Sequence, residues 1–174
     1  NRQLKDLYEY WCRIRAEGDS MPDYRRLDPI DIPKLLPILI LTEIFDGEEA
    51  GQSPRIYVRL VGTEIVTHFG QDITGSYLED RNGAALESYV YKHYGQVIET
   101  AKPAYWHYIL RWQDGHVTNA SRIYLPMMNE NQKDRVARVL VGQVLRHDTK
   151  SLMKEIARES GNLRVIELNH QVLE

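Results

Sequence analysis

The second half of the chain most constrains the fold, because it predicts three consecutive β-strands. Residues alternate between apolar and polar from Tyr105 to Gln113, and the segment 116–125 continues the pattern after Asp114-Gly115. Asp-Gly is a preferred two-residue hairpin turn. The segment 135–146 predicts a third strand. Strands that follow one another this closely pair antiparallel, so the sequence predicts an antiparallel sheet.

A two-residue turn at Asp114-Gly115 also predicts the register of the hairpin, with Gln113 opposite His116. One face then carries the pairs Trp106/Ile123, Tyr108/Ser121, Leu110/Asn119 and Trp112/Val117. This face is the more apolar and is predicted to be buried. The other face carries Tyr105/Tyr124, His107/Arg122, Ile109/Ala120 and Arg111/Thr118.

The first half of the chain predicts helices around two further strands. Residues 3–17 form an amphipathic helix whose apolar stripe is Leu4, Leu7, Tyr8, Trp11 and Ile14. Strands are predicted over 38–45 and 55–61, a short helix over 63–69 with Thr63 as its cap and Gly70 as its stop, and a long helix over 83–100. A last helix is predicted over 149–159, and residues 163–168 form either a short edge strand or an ordered tail. Helices on one face of an antiparallel sheet define an α+β fold.

Composition narrows the class of protein. The net charge of −3 argues against a general nucleic-acid binder, which needs a basic surface to displace counterions. Cys12 is the only cysteine, so no intramolecular disulfide forms, and a cytoplasmic location fits best. No apolar run approaches the roughly 18 residues of a membrane helix, so no membrane partner is expected.

Three phrases carry a family resemblance: Asp28 to Pro37, Arg59 to Thr63, and Gly70 to Gly75, followed later by Tyr124 to Met127. In this order, over about residues 4–146, the chain resembles a bacterial PAS-like family. The resemblance implies a five-stranded antiparallel sheet with helices on one face, an N-terminal helix and a C-terminal helical tail. It divides the chain into an N-terminal lead-in over 1–37, a PAS-like core over 38–147 and a tail over 148–174.

The resemblance further implies a cavity between the sheet and the helices. Candidate residues for binding a ligand there are Arg59, His68, Tyr89, His93, Tyr108, Asn119 and Arg122. Arginines that face the cavity suit a carboxylate or a phosphate, whereas on the outer face they form a solvated surface. The expected function is non-catalytic sensing of a small molecule or docking of a signalling partner. The apolar stripe of the N-terminal helix is the candidate surface for a homodimer, or else packs on its own sheet.

Two alternatives concern partners and cofactors. A filled core without a ligand would make the chain a protein–protein interaction module. Haem bound through His93 is the other, although a lone histidine among tyrosines is more often part of the core. Cys12 lies in the N-terminal helix, outside the position that flavin photochemistry in PAS-like domains requires. No catalytic motif and no paired metal ligands occur, so the sequence predicts no enzyme and no metal site, and it leaves any cofactor unknown.

Overall fold

The computed structural model describes residues 1–47, 52–80, 85–111, 117–147 and 164–173, and for 85–88, 111, 117, 147 and 164–169 it describes the backbone alone. The helices are α1 (Arg2–Ile14), α2 (Thr63–Phe69) and α3 (Ala85–Thr100). The strands are β1 (Leu39–Phe45), β2 (Arg55–Val61), β3 (Ala104–Arg111), β4 (Val117–Met127), β5 (Arg138–His147) and β6 (Arg164–Val172). Three 3₁₀ turns, Tyr24–Arg26, Pro29–Asp31 and Leu36–Ile38, link α1 to β1.

The sheet is antiparallel throughout, with the strand order β2-β1-β5-β4-β3-β6. The α+β class is therefore confirmed, but the sheet has six strands where the sequence predicted five. The additional strand is β6, which pairs with β3 along its whole length. Of the two alternatives for residues 163–168, the strand is correct, because β3 would otherwise present an unpaired backbone edge. The helix predicted over 149–159 lies outside the described residues.

The predicted hairpin register is wrong by one residue. Trp106 lies opposite Arg122, and the described pairs extend to Arg111 with Val117. The turn predicted at Asp114-Gly115 lies outside the described residues. The physical reason lies in β4, which is buried on both faces: Tyr124 and Leu125 point to opposite sides and both are fully buried. When both faces are buried, apolar alternation no longer fixes the register.

Different helices pack on the two faces of the sheet. Helix α1 packs on one face, where a Cβ added to Gly142 would lie 2.6 Å from the Cδ2 atom of Leu7. On the same helix, the indole nitrogen of Trp11 donates a hydrogen bond to the Pro126 carbonyl at 2.8 Å. Helices α2 and α3 cover the opposite face, which carries Arg122 and Tyr124.

The junction between β2 and α2 depends on a close backbone approach at Gly62. A Cβ at this residue would lie 2.3 Å from the Pro37 carbonyl oxygen, so no larger residue fits. Gly62 itself occupies the N-cap position, which corrects the prediction that Thr63 is the cap. Gly70 ends α2 in the left-handed conformation, with φ of 69°, as predicted. The following segment then runs beside β2, where Ser76 accepts a hydrogen bond from the Val58 amide at 2.9 Å.

Candidate functional site

A cavity of about 220 Å³ lies between the sheet and helices α2 and α3. Its wall is mostly apolar, and the lining residues are Ile40, Val61, Ile65, Phe69, Gln71, Ile73, Leu78, Val90, Tyr91, Tyr94, Arg122, Tyr124 and Val141. Gln71 is exposed, so the cavity reaches solvent beside the end of α2. An apolar cavity of about 150 Å³ is already large enough to hold benzene. This cavity is therefore large enough for a small organic molecule.

Arg122 supplies the one cationic group of the cavity wall within the described part of the chain. It comes from β4 and is only 6% exposed. Its Nε donates to the side-chain carbonyl of Gln143, and one terminal nitrogen donates to the Tyr124 hydroxyl at 3.3 Å. Two of the five guanidinium N–H groups are thus occupied. The remaining three have no acceptor in the described part of the chain.

No carboxylate neutralises Arg122 among the described residues. Burial is the largest influence on the guanidinium and lowers its pKa, whereas the hydrogen bond to the Tyr124 hydroxyl raises it. An arginine side chain is not deprotonated in proteins, so Arg122 is charged at neutral pH. Burial raises the pKa of both tyrosines, so they remain neutral phenols at neutral pH. Within the described part of the chain, Arg122 is consequently a buried cation without a counter-ion, and an uncompensated buried charge is strongly destabilising.

Beside Arg122, a second group of buried polar atoms has no hydrogen-bond partner in the described part of the chain. It comprises both ring nitrogens of His93 and the hydroxyl of Tyr108. The Tyr108 ring lies 5.7 Å from the Arg122 guanidinium carbon, and the Tyr89 ring packs edge-on against His93 with centroids 4.2 Å apart. Each unsatisfied buried polar group costs about 1–3 kcal/mol.

His93 is held in place by aromatic stacking. Its ring lies parallel to that of Trp106 with centroids 4.0 Å apart, and it is 1% exposed. Burial lowers the pKa of His93 to about 3, with the charge of Arg122 as the second cause. The imidazole is therefore neutral at physiological pH, as an axial haem ligand must be. It does not line the cavity, however, and its face is covered by Trp106.

Polar side chains fix the outer wall of the cavity. Tyr91 of α3 donates its hydroxyl to Glu79 at 3.1 Å, and Glu79 accepts a further bond from the Arg55 guanidinium at 2.9 Å. Burial, together with the negative charge of Glu79, raises the pKa of Tyr91. These contacts connect α3 with β2 and with the segment that follows α2.

The pocket residues predicted from the sequence occupy four different places. Arg122 lines the cavity, and the half-buried Tyr89 packs with the buried His93 and Tyr108 in an adjacent aromatic group. Arg59 is half exposed and forms an ion pair with Glu43 at 2.9 Å on the other face of the sheet. The corrected register places Asn119 on that same opposite face.

His68 lines a separate, more open cavity between α2 and β5, together with Thr63, Glu64, Ile65, Thr67, Gln143 and Leu145. Gln143 connects this cavity with the first one. Its carbonyl oxygen accepts from Arg122, while its amide nitrogen is buried and has no acceptor in the described part of the chain. Sequence reasoning missed Gln143 as well as the apolar lining. The role of Gln143 depends on its pairing with Arg122 between β4 and β5, and no register was predicted for these two strands.

The apolar stripe of α1 packs mainly against the core of its own chain. Leu4, Leu7 and Trp11 are buried in the core, and Tyr8 and Ile14 are half buried against it. The monomer therefore already covers most of this stripe. A homodimer through α1 remains a prediction, and only the half-buried residues offer surface to it.

Three absences hold for the part of the chain that the structure describes. No helix there has the length and apolar character to cross a membrane. No group of three or more histidine, cysteine, aspartate or glutamate side chains is placed to hold a metal ion. Cys12 is a free thiol.

Comparison with known protein families gives a match over most of the chain. The family model described as PAS domain matches residues 1–144, which include α1, the strands β1 to β4 and most of β5. No curated protein and no solved structure matches the chain. Because the family model covers most of the sequence, and the antiparallel sheet with α2 and α3 on one face agrees with it, the chain belongs to the PAS domain family.

Proposed function

We propose that this protein is a non-catalytic sensory module that binds a small organic molecule in the cavity between the sheet and helices α2 and α3. Sensory and regulatory roles are typical of the PAS family to which the chain belongs. The cavity carries the proposal. It has a volume of about 220 Å³ and contains a buried polar group, whereas protein interiors normally leave few voids larger than a water molecule.

The alternative of a pure interaction module requires a filled core. In such a module, the sheet face under α2 and α3 would pack directly against these helices, as Trp106 packs against His93 of α3. Next to this packed region, however, Arg122 and Tyr124 face an open volume. The cavity therefore favours ligand binding over an interaction module without a ligand.

Signal output would use elements that contact the cavity wall. Gln96 of α3 lies 3.1 Å from His170 of β6, measured between side-chain nitrogens, and His170 stacks on Trp106. A ligand that moves α3 would therefore also act on the C-terminal strand. Such coupling requires two packings with different affinities for the ligand.

Xenon enters dry apolar cavities and is therefore a neutral probe of this proposal. Methyl signals of Val90, Val141 and Ile65 should shift under xenon pressure in a carbon–proton correlation spectrum. Val90→Phe, which fills the cavity, should abolish these shifts. Val66→Phe is the matched control, because Val66 is also a half-buried helical valine but does not line the cavity.

Native mass spectrometry of freshly purified protein completes the test. A small-molecule mass that is present on the native protein, lost on denaturation and absent from Val90→Phe would identify a resident ligand. If the cavity methyls do not respond to xenon and no such mass is found, the cavity is closed to ligands and the interaction-module alternative is preferred.

A further inference from the structure

The wall of the cavity is chemically asymmetric. Apolar groups of α2, α3 and the neighbouring strands surround most of the volume, whereas Arg122 and Tyr124 lie together on the sheet side. Three N–H groups of Arg122 and the O–H of Tyr124 have no acceptor among the described residues. The polar end of the cavity therefore offers donors and a positive charge.

From this arrangement, and resting on the proposed function, we infer that the ligand is a small apolar monocarboxylate whose carboxylate pairs with Arg122. A carboxylate accepts two parallel hydrogen bonds from a guanidinium, which is the geometry that a free pair of N–H groups provides. Its charge compensates the buried cation. The apolar remainder of the molecule then lies against Ile65, Val90 and Val141.

The number of cations selects a carboxylate over a phosphate. Arg59, the other arginine considered for this site, lies on the opposite face of the sheet in an ion pair with Glu43. A phosphate monoester carries up to two negative charges, and the second would be buried without a partner beside Arg122 alone. One guanidinium in an apolar cavity matches a single negative charge.

The size of the cavity limits the ligand further. Its volume of about 220 Å³ exceeds the volume of about 150 Å³ that holds benzene. A ligand of about ten non-hydrogen atoms therefore fits, such as a short-chain fatty acid or an arylalkanoic acid. Hexanoate and phenylacetate represent these two shapes, and hexanamide and phenylacetamide are their neutral isosteres.

Isothermal titration of the full chain with these four probes and with phenyl phosphate tests the inference. We expect both carboxylates to bind at least tenfold more tightly than their amides, and phenyl phosphate to bind more weakly than phenylacetate. Arg122→Met should reduce the affinity for the carboxylates at least tenfold and leave the affinity for the amides within a factor of about three.

A second variant keeps the test decisive if Arg122→Met does not fold. Gln143→Glu places a carboxylate on the residue that already accepts a hydrogen bond from Arg122, so it supplies an internal counter-ion and preserves the cation. It should weaken carboxylate binding at least tenfold while the amides still bind. Gln171→Glu is the matched control, because Gln171 is exposed on β6. This variant should bind all probes as the unmodified protein does.

The outcomes separate the two proposals. Equal affinity for amides and carboxylates, or carboxylate binding that survives both Arg122→Met and Gln143→Glu, overturns the ligand class and leaves the cavity as a binding site. A cavity that admits xenon but none of the five probes also overturns the ligand class. Exclusion of xenon together with all five probes overturns the proposed function as well.

Discussion

The Nε of Arg122 donates a hydrogen bond to the side-chain carbonyl of Gln143, its direct cross-strand partner on β5. The bond orients the guanidinium so that its terminal nitrogens face the cavity, where one of them donates to the Tyr124 hydroxyl. It also places the unbonded amide nitrogen of Gln143 at the second cavity. One cross-strand pair therefore contributes polar groups to both cavities.

Gln143→Leu is expected to destabilise the protein. The substitution removes the acceptor of a buried charged donor, and the free energy of unfolding should fall by about 1–3 kcal/mol. Urea unfolding monitored by tryptophan fluorescence measures the change. Gln171→Leu, at an exposed site of β6, is the control and should alter stability by less than about 0.5 kcal/mol. Equal stability of the two variants would show that Arg122 does not depend on Gln143.

The stability of the protein should depend on His93 between pH 5 and pH 7. Burial lowers the pKa of this residue to about 3 in the folded protein, against an ordinary value of 6.5. Between these two values the unfolded chain binds a proton that the folded protein does not bind, so stability falls as the pH falls. From pH 7 to pH 5 the loss due to His93 is about 2 kcal/mol.

His93→Phe removes this proton-binding group while keeping a ring against Trp106. Urea unfolding measures the free energy of unfolding at pH 5 and at pH 7. The difference between these two values should be about 2 kcal/mol smaller for His93→Phe than for the unmodified protein. Tyr89→Phe contacts the same ring and removes no group that titrates in this range, so it serves as the control. An unchanged pH dependence in His93→Phe would contradict a depressed pKa.

The sequence predicted the elements better than the site. The bounds of β2 and α2 agree with the prediction. Gly62 separates β2 from α2 and Gly70 ends α2, so two local glycine signals define these bounds. Arg122 was among the candidates, but the predicted register placed it on the wrong face. Apolar alternation does not select the register of a strand that is buried on both faces. The pairing of Arg122 with Gln143 depends on the register of β4 with β5, which no turn signal in the sequence specified.

Trp11 should contribute to the stability of the monomer. Its ring is buried and its indole nitrogen donates to the Pro126 carbonyl. Trp11→Ala is expected to lower the free energy of unfolding by about 3–5 kcal/mol, and Trp11→Phe, which keeps a ring but loses the donor, by about 1–3 kcal/mol. Urea unfolding measures both values.

The same variants address the predicted homodimer. Sedimentation velocity of Trp11→Phe should match that of the unmodified protein, because Trp11 packs inside the chain. Ile14→Lys changes a half-buried residue of the stripe and should shift a dimer toward monomer. If the unmodified protein is a dimer and Ile14→Lys leaves it unchanged, the dimer does not form through this stripe.

Two glycine substitutions should change the stability of the protein in opposite directions. A Cβ at Gly142 would lie 2.6 Å from Leu7 and 2.9 Å from Leu4, so Gly142→Ala must push α1 away from the sheet. The free energy of unfolding of Gly142→Ala should be about 1–3 kcal/mol lower than that of the unmodified protein. Gly95 lies inside α3 with no atom within 4 Å of an added Cβ, so Gly95→Ala should gain up to about 1 kcal/mol from helix propensity.

A double-mutant cycle identifies the cause of the loss at Gly142. In the Leu7→Ala background the opposing methyl group is absent, so Gly142→Ala should cost at least 1 kcal/mol less than it does alone. Thermal or urea unfolding of the four proteins in the cycle gives the interaction energy. Additive effects would mean that α1 does not lie against Gly142, because two side chains in contact on opposing elements cannot behave as independent sites.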